Sequence, residues 1–195
     1  MSERDVSDDL VEPIYATAFF SVAQTGEVHE ILTFEYSDPG GYYARVLADD
    51  TLFEAEVSKV WSNMQYFLDK ERVEINGERV RAIINHVDIM ARGAETVATV
   101  FVIDFAGRFV RGTNRIETWI EEEEAPYDFD IIWRFPVGSK VLEVDTQLDY
   151  DILGDIIVLF AERGQQVGGY ERITFEMPAV PLDTRMEVTR IAPDE

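Results

Sequence analysis

A chain of 195 residues and 22.3 kDa suits one domain with a single sizeable core, and its 46% hydrophobic content excludes general disorder. The absence of cysteine excludes disulfides, thiolate nucleophiles, cysteine zinc sites and iron–sulfur clusters. With 39 acidic against 17 basic residues, the formal charge of −22 at pH 7 repels phosphate backbones, so we expect no direct sequence-specific nucleic-acid binding.

Arginine dominates the basic residues, since only three of the 17 are lysines. Few lysines and many carboxylates are typical of proteins from salt-saturated cytoplasms. At about 1 M salt the Debye length falls to roughly 3 Å, which screens the self-repulsion of such a charge. The composition therefore leaves two interpretations open: a halophilic system, or an ordinary acidic protein kept soluble by its charge.

The N-terminal residues 1–12 are polar and acidic, which predicts a flexible arm. A signal peptide needs a basic start and an apolar stretch, and this segment has neither. No apolar run approaches the roughly 18 residues of a membrane span. We therefore expect a soluble protein, made in the cytoplasm without a secretory signal.

The first half of the chain is predicted to begin with strands. Residues 14–22 and 28–36 are rich in β-branched and aromatic side chains and form a first hairpin, followed by a turn at 37–41 that contains Pro-Gly-Gly. Residues 42–48 and 51–57 are predicted as a second hairpin. The alternative is that 51–57 extends the next helix backwards, because Phe53, Val57, Trp61 and Met64 also have helical spacing.

Residues 58–70 form the one predicted helix. Its apolar stripe consists of Val57, Val60, Trp61, Met64, Phe67 and Leu68. Ser58 can cap the first turn, and Lys70 suits the negative end of the helix dipole. A helix of about three turns does not persist alone in water, so we expect strands to bury Trp61 and Phe67.

The remainder is predicted as β-structure around an Asn76–Gly77 turn, whose two residues favour positive φ and therefore a type I′ hairpin. Further predicted strands cover 95–105, 108–122, 127–135, 140–148, 155–162 and 170–177. About ten antiparallel strands and one helix indicate a mainly β fold, either a β-sandwich or a β-barrel, in a single domain over 13–177. Residues 178–195 are predicted as an extended tail in which 186–191 can add an edge strand.

Two pairs of residues are candidates for a metal site. His86 and Asp88 lie two apart on a predicted strand and so share a face, which suits metal ligation, although a polar edge of the strand is the simpler interpretation. Asp149 and Asp151 lie in a predicted loop and invite calcium, but position 12 counted from Asp149 is Phe160 where an EF-hand needs Glu. A solvated loop is the simpler interpretation, and we expect no bound cofactor.

Glu121, Glu122, Glu123 and Glu124 are four consecutive acids predicted at a hairpin tip between Trp119 and Trp133. Such a run keeps a strand edge soluble. On a loop that projects toward a partner, the same run would form a negative ring in an oligomer, so we treat it as a candidate interaction segment.

The chain lacks phosphate-binding, dinucleotide-binding, nucleophile-elbow and zinc-protease motifs. Together with abundant aromatics and long hairpins, this favours a non-enzymatic structural or assembly subunit that forms homo-oligomers or contacts other subunits. Over residues 13–177, the order of elements and the charge resemble the tail-tube and head–tail joining proteins of tailed viruses. That resemblance implies a virion component, whose acidic lumen would let DNA slide by like-charge repulsion.

Two other function classes stay open. A small-ligand or flavin-binding β-barrel would enclose an apolar cavity, with Trp61, Trp119 and Trp133 in its walls, although core packing also explains these residues. A metal-dependent hydrolase would use His86 and Asp88. Among 39 acidic residues, a pair of carboxylates suited to glycoside hydrolysis is not excluded by the sequence.

Overall fold

The computed structural model describes residues 11–178, which form two β-sheets and two helices. The strands are β1 (Glu12–Val22), β2 (Glu27–Ser37), β3 (Arg72–Ile75), β4 (Glu78–Val80), β5 (Ile83–Ala91), β6 (Thr96–Ala106), β7 (Gly112–Glu124), β8 (Asp128–Arg134), β9 (Lys140–Asp145), β10 (Asp149–Leu153), β11 (Ile156–Ala161) and β12 (Gln166–Met177). The helices are α1 (Tyr42–Val46) and α2 (Asp50–Lys70). The prediction of a mainly β fold with a helix packed against it is confirmed, and two separate sheets make it a sandwich.

The seven-stranded sheet has the order β10-β11-β8-β1-β2-β6-β5, and the five-stranded sheet has the order β4-β3-β7-β12-β9. Within the described chain, β1 and β8 pair in parallel, with Tyr15 opposite Asp128. The expectation of antiparallel strands throughout is wrong at this pairing. Alternation within a strand fixes its two faces but not which distant strand lies beside it.

The main core lies between the sheets. Phe135 and Phe175 pack with ring centroids 4.2 Å apart, and Ile75, Ile116 and Ile157 are almost fully buried around them. Burying each such side chain contributes roughly 1.5–3 kcal/mol. The sandwich is therefore held mainly by apolar side chains that alternate inward along both sheets.

Helix α2 covers the same face of the seven-stranded sheet as the five-stranded sheet does. On β6, Phe101 and Ile103 pack under α2, whereas Phe105 points from the same face into the core between the sheets. The helix contributes Val57, Val60, Met64 and Leu68 to this contact. Helix α2 and the five-stranded sheet therefore lie side by side on this face, with a seam between them.

The expected burial of Trp61 and Phe67 is wrong. Their exposed fractions are 41% and 57%, and Tyr66 is equally exposed. At 100° per residue, Trp61 and Phe67 lie at the two flanks of the apolar stripe, and one sheet surface buries only its centre. The helix does cover sheet residues, but it presents aromatic side chains to solvent.

The predicted hairpin over 42–57 is also wrong, because this segment is helical and α2 begins at Asp50. Asp49 caps α2 by accepting hydrogen bonds from the N–H groups of Thr51 and Leu52. Upstream, the carboxylate of Asp38 accepts the N–H groups of Tyr42 and Tyr43 at 2.8 Å and starts α1. The alternative reading by helical spacing was the correct one.

The Asn76–Gly77 turn is confirmed, since both residues have positive φ, 53° and 81°. Strand β10 replaces the predicted loop at Asp149 and Asp151, and β12 begins at Gln166, earlier than expected. The predicted arm 1–12 and tail 178–195 lie almost wholly outside the described residues and stay predictions. Neither helix within residues 11–178 is long and apolar enough to cross a membrane.

Candidate functional site: a cavity between the two sheets and helix α2

A cavity of about 650 Å³ occupies the seam between α2, the seven-stranded sheet and the five-stranded sheet. Its walls come from β1, β2 and β8 on one side, from β7 and β12 on another, and from Met64, Phe67 and Leu68 of α2. It exists because α2 and the five-stranded sheet cover adjacent parts of one sheet face without closing on each other. The volume falls within the roughly 300–1,000 Å³ of small-molecule sites.

Aromatic rings form much of the cavity wall. Phe20 and Trp133 stack with centroids 4.0 Å apart and planes 6° apart, and Phe34 meets Tyr127 edge to face at 6.3 Å. Trp119 carries the guanidinium of Arg72 at 4.1 Å from its ring. Such walls suit an apolar or cationic group, because rings offer dispersion contacts and a negative face.

Glu30 is the unusual residue of the cavity. It lies on β2 between Phe20 of β1 and Ile103 of β6, and only 6% of it is exposed. Within the described chain, no group donates a hydrogen bond to its carboxyl. Burial, reinforced by the charge of Glu71, raises the pKa of Glu30 to about 8, so this carboxyl holds a proton at neutral pH.

Two further carboxyls of the cavity are partly buried. Glu71 follows the last residue of α2, and burial raises its pKa. Burial also raises the pKa of Glu171 on β12, although the hydroxyl of Thr146 donates a hydrogen bond to this carboxylate at 2.6 Å. Perturbed carboxyls gathered in one cavity are typical of functional sites, although structural networks perturb pKa values as well.

The basic residues of the described lining contact groups other than the buried carboxyls. The ammonium of Lys70 lies 4.0 Å from the ring centroid of the exposed Tyr66. Arg172 forms ion pairs with Glu143 at 2.7 Å and with Asp145 at 3.7 Å. Neither contact involves Glu30 or Glu71, so these cations do not neutralise the buried carboxyls.

The structure brings only some of the sequence candidates to this cavity. Trp119 and Trp133 line it as the ligand-binding hypothesis required, whereas Trp61 borders a separate groove beside β5. Glu121 and Glu123 also line the cavity. All four of the consecutive acids are exposed, but they lie on β7 paired with β12, not at a hairpin tip.

The metal candidates do not converge. His86 and Asp88 share a face of β5, opposite Val102 and Val100 of β6, as their spacing predicted. Asp149 and Asp151 lie exposed on β10. Residues 11–178 contain no group of three or more histidine or acidic side chains placed to hold a metal ion.

Sequence reasoning missed Glu30, although a signal was present. Val28, Leu32 and Phe34 alternate along β2 and point toward the interior, and Glu30 has the same parity. A charged residue at an inward position of an alternating strand conflicts with the pattern and indicates a special environment. Glu71 had no comparable signal, because its position depends on how α2 ends.

A second feature missing from the sequence reasoning is a His–Asp pair on the other face of the seven-stranded sheet. The Nδ1 atom of His29 lies 2.6 Å from a carboxylate oxygen of Asp104, and Ser21 lies opposite His29 on β1. In the order Ser21, His29 and Asp104, these residue types resemble the nucleophile, base and orienting acid of a catalytic triad. However, His29 lies on β2, which is paired with a strand on each side. The backbone N–H groups there form inter-strand hydrogen bonds and are not free to stabilise an oxyanion.

An apolar row crosses this same outer face of the seven-stranded sheet. Direct strand partners place side by side Val158, Ile132, Phe19, Ile31 and Val102. Ile31 is 48% exposed although β2 lies between β1 and β6. The sheet is therefore open to solvent at the middle of this row.

Comparisons with known proteins assign no family. No protein-family model and no curated protein sequence match this chain. A crystal structure described as a putative protease from Parabacteroides distasonis ATCC 8503 is similar over 87% of this chain and 41% of its own, at 6% identity and a TM-score of 0.36. This chain thus spans less than half of that protein, and a likeness at that score supports no argument.

Proposed function

We propose that the protein is a non-enzymatic binding protein that holds a small ligand with an apolar body in the cavity between its sheets and α2. The observation that carries the proposal is the cavity itself, which has a volume of about 650 Å³ and is lined by aromatic side chains from both sheets and from α2. A well-packed interior leaves few voids larger than a water molecule. The aromatic and aliphatic walls around this space offer dispersion contacts to a ligand with an apolar body.

The charge of the lining argues against a flavin nucleotide. Flavin nucleotides carry phosphate, and the described lining has six carboxyl groups against two basic residues, Lys70 and Arg172, which already contact other groups. An apolar body is the chemistry that the walls match.

The test uses the neutral fluorescent probe N-phenyl-1-naphthylamine, which brightens in apolar sites. We expect saturable binding with one site per chain. Leu32→Trp places a larger side chain in the cavity wall and should abolish this binding, whereas Leu142→Trp, at an exposed position of β9, should retain it. Circular dichroism establishes that both variants fold. No saturable binding by the folded wild-type protein would refute the proposal.

A second function, a structural or assembly subunit, is favoured by the apolar row on the outer face. Scattered exposed apolar residues are normal, but a row across five strands is typical of an interface. We propose a second copy of this chain as its partner. Because each copy carries a formal charge of −22, association should strengthen as salt screens the repulsion. The virion role, the halophilic system and the contact role of Glu121–Glu124 belong to this second proposal.

Sedimentation velocity at 0.1 M and 2 M NaCl tests the second function. We expect a larger species at high salt that Ile31→Glu dissociates. Leu142→Glu introduces the same charge at an exposed position on the five-stranded sheet and should leave association intact. A wild-type monomer at both salt concentrations and at high protein concentration would refute this second function without affecting the first.

A further inference from the structure

The ligand class follows from the balance of charge inside the cavity, and this step rests on the proposed binding function. In the part of the chain that the structure describes, six carboxyl groups line the cavity: Glu30, Glu71, Glu121, Glu123, Asp145 and Glu171. Among residues 11–178, the basic lining residues are Lys70 and Arg172. The ammonium of Lys70 lies over Tyr66, and Nη2 of Arg172 pairs with the acids of β9, whereas the buried Nε of Arg172 has no hydrogen-bond partner. An anionic ligand would meet an excess of like charge, whereas a cation would reduce it.

Glu30 gives the cavity a specific place for a cation. Its carboxyl is more than nine-tenths buried, accepts no hydrogen bond within residues 11–178, and faces the cavity. Buried carboxyls are normally satisfied by donors or by an opposite charge, and the described residues supply neither to Glu30. Glu71 stands close enough to disfavour a charge on Glu30, so a cation between them would relieve that repulsion.

The aromatic walls complete the site. Phe20 lies directly opposite Glu30 on the neighbouring strand and stacks on Trp133. Ring faces attract alkylammonium groups, and the same rings pack against hydrocarbon. A ligand with an ammonium head beside Glu30 and an apolar tail along the rings would satisfy both parts of the lining.

We propose that the cavity binds an amphiphilic amine or quaternary ammonium compound whose cationic head pairs with Glu30 and Glu71. Because the unliganded Glu30 holds a proton near neutral pH, binding a permanent cation should release that proton. Affinity for such a cation should rise with pH up to about 8 and then level off. A neutral ligand that accepted a hydrogen bond from protonated Glu30 would show the opposite dependence.

The experiment displaces N-phenyl-1-naphthylamine with three ten-carbon probes that differ only in the head group. The probes are decyltrimethylammonium, decanol and decanoate, each below its micelle concentration, in 0.5 M NaCl at pH 6 and pH 8.5. At pH 8.5 we expect decyltrimethylammonium to bind at least tenfold more tightly than decanol, with decanoate weakest. At pH 6 the affinity for the ammonium compound should fall at least tenfold, while that for decanol should stay constant.

A matched pair of variants assigns the effect. Glu30→Gln should remove the preference for the ammonium head while leaving decanol binding in place. Glu35→Gln makes the same substitution at the opposite face of the same strand, outside the cavity, and should retain the preference. If Glu30→Gln does not fold, the pH dependence of the wild-type protein still decides the outcome.

The possible failures are distinguishable. Equal or tighter binding of decanol, or a preference that survives in Glu30→Gln, would overturn the cation proposal while the binding function stands. Tighter binding of decanol at pH 6 than at pH 8.5 would overturn it in favour of a neutral hydrogen-bond acceptor. If neither the dye nor any of the probes binds, both the cation proposal and the proposed function are wrong.

Discussion

Replacing Glu30 with glutamine should make the protein more stable, and increasingly so as the pH rises. An unfolded Glu titrates near 4.5, whereas burial and the charge of Glu71 raise the pKa of Glu30 to about 8 in the folded protein. Between these values the folded state holds a proton that the unfolded state has released. Folding stability therefore falls with rising pH across this window, and the loss is complete above about pH 8.

The magnitude follows from the difference between the two values, about 3.5, at about 1.4 kcal/mol per pH unit. The limit is about 5 kcal/mol, a large part of the 5–15 kcal/mol that typical domains possess. Glutamine does not titrate, so the difference in unfolding free energy between Glu30→Gln and wild type should grow by several kcal/mol from pH 4.5 to 8.5. The cost of burying the new amide is constant with pH and cancels from this slope.

Urea unfolding in 1 M NaCl at several pH values measures the difference, with salt present to screen the exposed carboxylates. Glu35→Gln is the control, because it makes the same substitution on the opposite face of β2, outside the cavity. An equally large change with pH in this variant would show that the effect is not specific to Glu30. A difference between Glu30→Gln and wild type that stays within about 1 kcal/mol from pH 5 to 8.5 would show that Glu30 is not a buried carboxyl without a donor.

Two further predictions test the packing. Trp61→Ser should lower the free energy of unfolding by about 1 kcal/mol or less, because Trp61 is on the exposed flank of α2. Phe101→Ala, under the same helix, should lower it by about 3–5 kcal/mol. Equal losses in urea titrations would contradict this placement. Gly168→Ala should cost more than about 3 kcal/mol, because a Cβ there would lie 2.2 Å from the carbonyl oxygen of Glu121, whereas Gly154→Ala, with a similarly positive φ and open space around it, should cost about 1 kcal/mol. Thermal melts of the two glycine variants that coincide would refute the close approach of β7 and β12.

Local patterns predicted much of this fold, and the failures have identifiable physical causes. The Asn76–Gly77 turn was readable because the turn chemistry is local. Residues 51–57 fit both an alternating strand and a helical stripe, and the cap formed by Asp49 tips the balance toward the helix. The parallel pairing of β1 with β8 joins segments more than 100 residues apart, and no local pattern encodes such a choice of partner.

The candidate site was predictable only in part. Core packing was the simpler interpretation of the three tryptophans, and only the ligand-binding alternative placed them in a cavity wall. Trp119 and Trp133 do line the cavity, whereas Trp61 does not. Glu30 was readable in principle from its inward parity on β2. The cavity as a whole could not be predicted from the sequence. It depends on how α2 and the five-stranded sheet lie side by side on one face of the seven-stranded sheet, and their separation is set by tertiary packing.

The central claim is that the space between the sheets and α2 is a ligand site centred on Glu30. The most direct measurement is a crystal structure of the protein grown with 10-bromodecyltrimethylammonium chloride, with data collected at the bromine absorption edge. We expect a bromine peak inside the cavity against the aromatic walls and an ammonium head near Glu30. A cavity that stays empty at saturating probe, with bromine only on the outer surface, would contradict it.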